Sequence, residues 1–187
     1  MLDRSWTLLD SRQIAQYPIL RLREDRYRFE PTGAESCFIV CDTADWALII
    51  ATTADGQLVL VRQYRHGVQE VVLEVPGGVL DHGESPEDAA RRELREETGY
   101  EAGRVRYLGK MLPNPAINNA RLHVVLAEDC RWAGAPQFDP FEQIDVVLRP
   151  VADVPRMIAA GEIAHALVIA SFALWDSVRR GEQGEQH

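Results

Sequence analysis

The segment Asp45-Trp46-Ala47-Leu48-Ile49-Ile50-Ala51-Thr52 is apolar almost throughout. A strand with one solvated face alternates apolar and polar side chains, so a run without alternation reads as a strand buried on both faces. The neighbouring residues supply the rest of a sheet. Asp55-Gly56 closes a hairpin into Leu58-Val59-Leu60-Val61. Val71-Val72-Leu73-Glu74-Val75 forms another strand, ended by a turn at Pro76-Gly77-Gly78. Upstream, residues 1–43 read as short strands, with Ile19-Leu20-Arg21-Leu22-Arg23 and Tyr27-Arg28-Phe29-Glu30 alternating and Pro31-Thr32-Gly33 as a turn. Residues 105–111, 122–127 and 144–148 read as further strands, and 154–160 and 164–178 as helices. Strands outnumber helices in mixed order, which predicts an α+β fold with helices flanking a mixed sheet.

The chain of 187 residues allows one domain plus an extension, or two small ones. The boundary falls at residue 43, giving a small N-terminal antiparallel β-domain over 1–43 and a main domain over 44–187. Twenty basic against 29 acidic side chains leave a net charge of −9, which argues against a nucleic-acid footprint and suits a cation-binding protein. Cys37 and Cys41 lack the spacing of a zinc knuckle, and with Cys130 they read as reduced thiols of a cytoplasmic protein. The N-terminus lacks the pattern of a signal peptide, and the apolar run 166–175 is too short to span a membrane.

The chemistry concentrates in Gly78 to Tyr100. Ser85 is placed as a helix N-cap, Pro86 as the first helical residue, Asp88 completes a capping box, and Gly99 stops the helix after Thr98. Glu93, Glu96 and Glu97 then fall within an arc of roughly 100°. Like charges on adjacent turns repel. Arg91, Arg92 and Arg95 offset that repulsion if they form ordinary surface pairs, and a hard divalent cation offsets it if the helix is a metal site. Glycines at 77 and 78 let backbone come close to a ligand.

Gly78, five residues, Glu84, seven residues, Arg92-Glu93-Leu94, one residue, Glu96-Glu97, one residue, Gly99-Tyr100 resembles the Nudix box throughout. Chance agreement at its seven fixed identities is on the order of one in a hundred million per starting position. The departure is Tyr100, where the pattern wants an aliphatic residue. The resemblance implies a Nudix α/β/α sandwich with a mixed sheet and Mg²⁺-dependent hydrolysis of a nucleoside diphosphate linked to another group, with Mn²⁺ as the alternative cation. It assigns the metal to Glu93, Glu96 and Glu97, with the Gly78 carbonyl and Glu84 as further contributors. Arg92 would orient the glutamates by charge-assisted hydrogen bonds.

The flanks resemble the branch that hydrolyses ADP-ribose and nucleotide sugars. Arg62-Gln63-Tyr64-Arg65 stands where that branch keeps a Q-[YF]-R element, implying substrate contacts from Arg65 and Arg62. Leu73-Glu74-Val75-Pro76-Gly77-Gly78 matches its L-E-x-[PV]-[AG]-G, making Glu74 a substrate or metal-shell contact, or else the partner of a nearby arginine. Pro115 lies at the branch's characteristic proline, whereas 116–121 departs from its pattern and retains Arg121. Phe141-Glu142-Gln143-Ile144 resembles the segment that carries the general base, pointing to Glu142 with Asp139 and Asp145 as alternatives. His66, His82, His123 and His165 read as surface or packed histidines. The resemblance further implies that residues 1–43 exchange between two subunits of a homodimer, and that Trp46 or Tyr27 could stack on a base. GDP-mannose hydrolysis, a nucleoside triphosphate pool or RNA-cap enzyme, and a non-catalytic Nudix regulator are the alternatives.

Overall fold

The computed structural model describes residues 5–138 and 140–184. Two compact units divide it: residues 1–45 with 112–121, and residues 46–111 with 122–187.

The first unit is an antiparallel sheet of β1 (Trp6–Gln16), β2 (Arg21–Phe29) and β3 (Ala34–Asp42), in that order. These strands are longer than the short segments expected from sequence. Glu24-Asp25-Arg26, between the two alternating segments, is strand as well, because cross-strand ion pairs let polar residues stay in register. Arg12 meets Glu24, Arg28 meets Glu35, and Arg21 and Arg23 share Asp42. Asp25, fully buried, accepts from the Ser11 hydroxyl at 2.6 Å and pairs with Arg23. Trp6, Tyr27, Phe29 and Phe38 gather into one aromatic cluster. The segment 112–121, with Pro115 and Arg121, is tied to this unit: Cys41 N–H donates to the Ile117 carbonyl at 2.7 Å and Arg121 N–H to Asp45 at 2.8 Å.

The second unit carries an eight-stranded mixed sheet. Its spine is β11 (Ile144–Pro150), β5 (Gln57–Arg65), β4 (Trp46–Thr53), β10 (Leu122–Trp132) and β8 (Tyr100–Glu101). β6 (Glu70–Glu74) pairs with β5, β7 (Gly77–Val79) with β4, and β9 (Arg104–Met111) with β10. Among the described residues of this sheet only the β4–β10 pair is parallel. β4 is central and buried on both faces, as its unbroken apolar run requires. Leu48 and Ile50 join Leu58, Leu60, Val124 and Leu126 against α2 (Val154–Ala159) and α3 (Ala166–Gly184). Ile49 and Ala51 join Val59, Val125 and Ala127 against Ala90 and Leu94 of α1 (Pro86–Thr98). The period-two alternation of each strand thus feeds two cores, one per helical layer, which is an α/β/α sandwich.

Two local findings position the site. The expected turn at Pro76-Gly77-Gly78 is instead the start of β7. The two glycines serve close approach rather than reversal: a Cβ on Gly77 would lie 2.2 Å from the Ala47 carbonyl oxygen. α1 begins and ends where its caps predict. The Ser85 hydroxyl accepts from Asp88 N–H at 3.1 Å, and Gly99 takes the left-handed conformation with φ of 76°. Tyr100 packs against the core under α1, filling the apolar slot. Among the described residues no helix is long and apolar enough to cross a membrane.

Candidate functional site

The one face of α1 that carries three glutamates presents them in three different environments. Glu97 points inward, is 4% exposed, and accepts from Gly77 N–H at 2.9 Å. Burial pushes its carboxyl up to about 8; the Gly77 bond works against this, and the charges of Glu93 and Glu142 add to it. Glu93 lies over β7 so closely that a Cβ on Gly78 would stand 2.1 Å from its Oε1. Burial raises its pKa as well; Arg92 works against the rise, and Glu96 and Glu142 add to it. Glu96 is the most open of the three, its side chain 44% exposed.

Arg92 organises this face. Its Nε and Nη2 reach both oxygens of Glu84 at 2.9 Å, and Nη2 also donates to the Val79 carbonyl at 3.0 Å. Nη1 donates to Glu93 at 2.7 Å and to Glu96 at 3.2 Å. A guanidinium has five N–H donors, and these five bonds use them all. Arg92 therefore has no donor left for a substrate and acts as a positioning residue. Glu84, held by that fork and by Asp81 N–H at 2.9 Å, has its pKa lowered, chiefly by Arg92. Arg92→Lys keeps the charge but not the fork. It should lower apparent Mg²⁺ affinity or turnover about 10- to 100-fold, as loss of groups that orient metal ligands does. A Mg²⁺ titration of activity checks this; an unchanged midpoint and rate would remove Arg92 from the assembly.

The donors fit a hard cation. All are carboxylate oxygens, and the Gly78 backbone is within reach of the same face. Among the described residues no three acidic, His or Cys side chains converge as a ready-made cage. Mg²⁺ does not require one, because it binds through one or two carboxylates, water and substrate phosphate oxygens.

Glu142 precedes β11, and its charge acts on both Glu93 and Glu97. The chain before it is fastened to α1, with Gln137 N–H donating to the Glu96 carbonyl at 2.8 Å and Arg95 to the Ala135 carbonyl at 2.9 Å. Asp139 lies outside the described residues. Asp145 sits on β11, opposite Arg62 in register.

Arg65 ends β5 and meets Glu74 on β6, its Nε and Nη2 donating to Glu74 Oε2 at 2.9 and 2.6 Å. Arg62, three residues earlier in an unbroken register, takes the opposite face of the strand, so only Arg65 is brought to Glu74. Glu74 is 2% exposed and also accepts from Gln63 at 3.0 Å. His165, read from sequence as a surface or packed histidine, places Nδ1 2.7 Å from Glu74 Oε1. No sequence signal marks that contact, since 91 residues separate the partners and a lone His has no motif. A cavity of about 440 Å³ adjoins Arg65, Glu74 and His165. Trp46 packs against the core cluster on the α2–α3 side.

The sequence model of the NUDIX domain matches residues 43–172. The chain is 30% identical over 184 residues to the ADP-ribose pyrophosphatase of Mycobacterium tuberculosis, covering 97% of this chain and 88% of that one. It is 35% identical over 133 residues to the GDP-mannose pyrophosphatase of Citrobacter koseri, covering 66% and 69%. A crystal structure of an ADP compounds hydrolase superposes with a TM-score of 0.85 over 95% of this chain and 96% of the other, at 23% identity, a likeness of fold.

Proposed function

This chain belongs to the Nudix family, and from that premise we propose that it is a Mg²⁺-dependent pyrophosphohydrolase that cleaves ADP-ribose or a related nucleoside diphosphate sugar to a nucleoside monophosphate and a sugar phosphate. The observation that carries the reading is the face of α1 locked by Arg92 against β7, with Glu97 buried behind it. Glu93, Glu96, Glu97 and the Gly78 carbonyl would hold the cation. Glu84 contributes through Arg92, which holds both its oxygens. When bound, the cation neutralises pyrophosphate charge and lowers the pKa of a coordinated water.

The chain's own residues do the remainder. Glu142 is the proposed general base, because its charge acts on Glu93 and Glu97 and the segment before it, at 135–137, is anchored to α1. Arg65, half-exposed at the edge of the cavity, grips the diphosphate or terminal ribose, and Glu74 holds it there. Pro115 and Arg121 shape the substrate loop, and Arg62 is a more remote contact. The reading extends to a homodimer through residues 1–43. Support comes from the first unit, where a three-stranded sheet leaves Trp6, Leu8, Ile14 and Phe38 between 43% and 49% exposed. Free Cys37, Cys41 and Cys130 suit a cytoplasmic setting. Mn²⁺ is the alternative cation.

The test is a turnover panel with Mg²⁺, comparing ADP-ribose, GDP-mannose, UDP-glucose and NADH at equal concentration with products identified. Preference for ADP-ribose, releasing AMP and ribose 5-phosphate, is expected. The second reading, GDP-mannose, is favoured by the Citrobacter relative and the altered segment 116–121. Guanine preference would establish it, and no turnover of any of the four would overturn both.

A further inference from the structure

The geometry points to His165 as a positioning residue for substrate binding, acting through Glu74 on Arg65. It rests on the reading of Arg65 as the substrate-facing cation.

The two oxygens of Glu74 have separate duties. Oε2 accepts from Arg65 twice and from Gln63, whereas Oε1 faces His165 Nδ1 at 2.7 Å. The carboxylate is buried on β6, and burial alone would raise its pKa. His165 and Arg65 more than offset that, and the net direction is down. The charge that holds Arg65 is therefore sustained from two sides. Arg65 lies half-exposed on β5, and Glu70 is the other acid bordering the same cavity.

Removing the imidazole takes away the ring nitrogen that stands 2.7 Å from Oε1 and leaves a buried charged oxygen facing empty space. A carboxylate in that position turns about its last torsion to find a donor, and the fixed acceptor for Arg65 turns with it. Arg65 then becomes a mobile arginine at the mouth of the cavity, and substrate must order it on binding. Ordering one such side chain opposes binding by about three- to tenfold in affinity. The Arg65 charge acts on Glu97 only as the last of the influences on that carboxyl, behind burial, Gly77, Glu93 and Glu142, so the effect falls chiefly on KM. His165 stands just before α3, so the contact also ties the closing helix to the β5–β6 hairpin.

The experiment compares steady-state kinetics and thermal melting of His165→Ala, His165→Asn, Arg65→Ala and the double variant His165→Ala/Arg65→Ala on the full chain, with the best substrate of the panel. His165→Ala should raise KM about three- to tenfold with kcat within about twofold. Asparagine places its amide nitrogen near the position of Nδ1, so His165→Asn should recover most of the loss. In the Arg65→Ala background, His165→Ala should add nothing, since the residue it positions is gone. An unchanged KM in His165→Ala while Arg65→Ala raises it would overturn the proposal and leave the site reading intact. Equal losses in the Ala and Asn variants, or kcat falling in step with melting temperature, would assign His165 to packing alone. If Arg65→Ala also leaves KM unchanged, the reading of Arg65 fails and this inference fails with it.

Discussion

Glu97→Gln should abolish turnover, by about 10³-fold or more in kcat, while the protein stays folded. The estimate is what losing about 4 kcal/mol of transition-state stabilisation produces, and a divalent cation at a developing charge contributes several kcal/mol. Glutamine keeps a carbonyl oxygen for Gly77 N–H, so the contact between α1 and β7 survives. What it loses is the anionic oxygen a hard cation requires. Stability provides a second readout. Burial holds the Glu97 carboxyl at about 8, against an ordinary value of 4.5. A carboxyl whose folded pKa is raised takes up a proton on folding. Its contribution is present below about 4.5 and is lost as pH rises towards 8. Without metal, the parent should therefore lose stability over that window, and the neutral glutamine should flatten the decline. Near-normal Mg²⁺-dependent turnover in Glu97→Gln would sink the metal assignment.

The second large effect separates two adjacent glycines. A methyl on Gly77 would meet the Ala47 carbonyl oxygen at 2.2 Å, and Ala47 is fully buried main chain in the central strand β4. Neither partner can move without breaking the β4–β7 ladder, in which Gly77 pairs with Leu48 and Gly78 with Ala47. Gly77→Ala should cost about 3 kcal/mol or more, the upper end for overpacking. That corresponds to a fall in melting temperature of roughly 6–12 °C for a chain this size. A methyl on Gly78 would instead meet the carboxylate of Glu93 at 2.1 Å, the far end of a side chain that can rotate away. Gly78→Ala should therefore melt within a few degrees of the parent but lose about 10- to 100-fold in Mg²⁺ affinity or turnover, because a ligand has been displaced. Circular-dichroism melts and Mg²⁺ titrations of both variants decide it. Similar melting temperatures for the two would show that β7 can yield, and the close-approach account would be wrong.

The same two glycines mark the limit of what could be read in advance. Their presence beside an acidic helix was legible as room for close approach, but they were expected in a turn and lie in a strand. Glycine carries no side chain to enter a periodic pattern, so a three-residue strand such as β7 leaves no local signal. The long strands β1 to β3 were foreshortened for a related reason. Their charged residues break the apolar alternation, and only cross-strand ion pairs restore regularity. At the site, the spacing of Glu93, Glu96 and Glu97 showed a shared face; Arg92 reaches Glu93 and Glu96 on it, whereas its bonds to Glu84 and the Val79 carbonyl could not be read from that spacing. The unequal burial of the three glutamates could not be read, because it depends on which of them faces β7.

Local chemistry and periodicity, carried in the sequence itself, determined α1 with its Ser85 and Gly99 caps, the two-faced burial of β4, the mixture of strands and flanking helices, and the concentration of carboxylates on one helical face. Each follows from interactions within a few residues or from a repeat matched to a secondary-structure period. Tertiary structure alone decided which residues distant in sequence meet: Gly77 N–H with Glu97, and Glu74 with Arg65 on one side and His165 on the other. Those contacts depend on where the chain returns after long excursions, and burial then sets their charges. The lowered pKa of Glu74 and the raised pKa of Glu97 are opposite outcomes for the same side chain, set by His165 and Arg65 beside the first and the buried, acidic surroundings of the second.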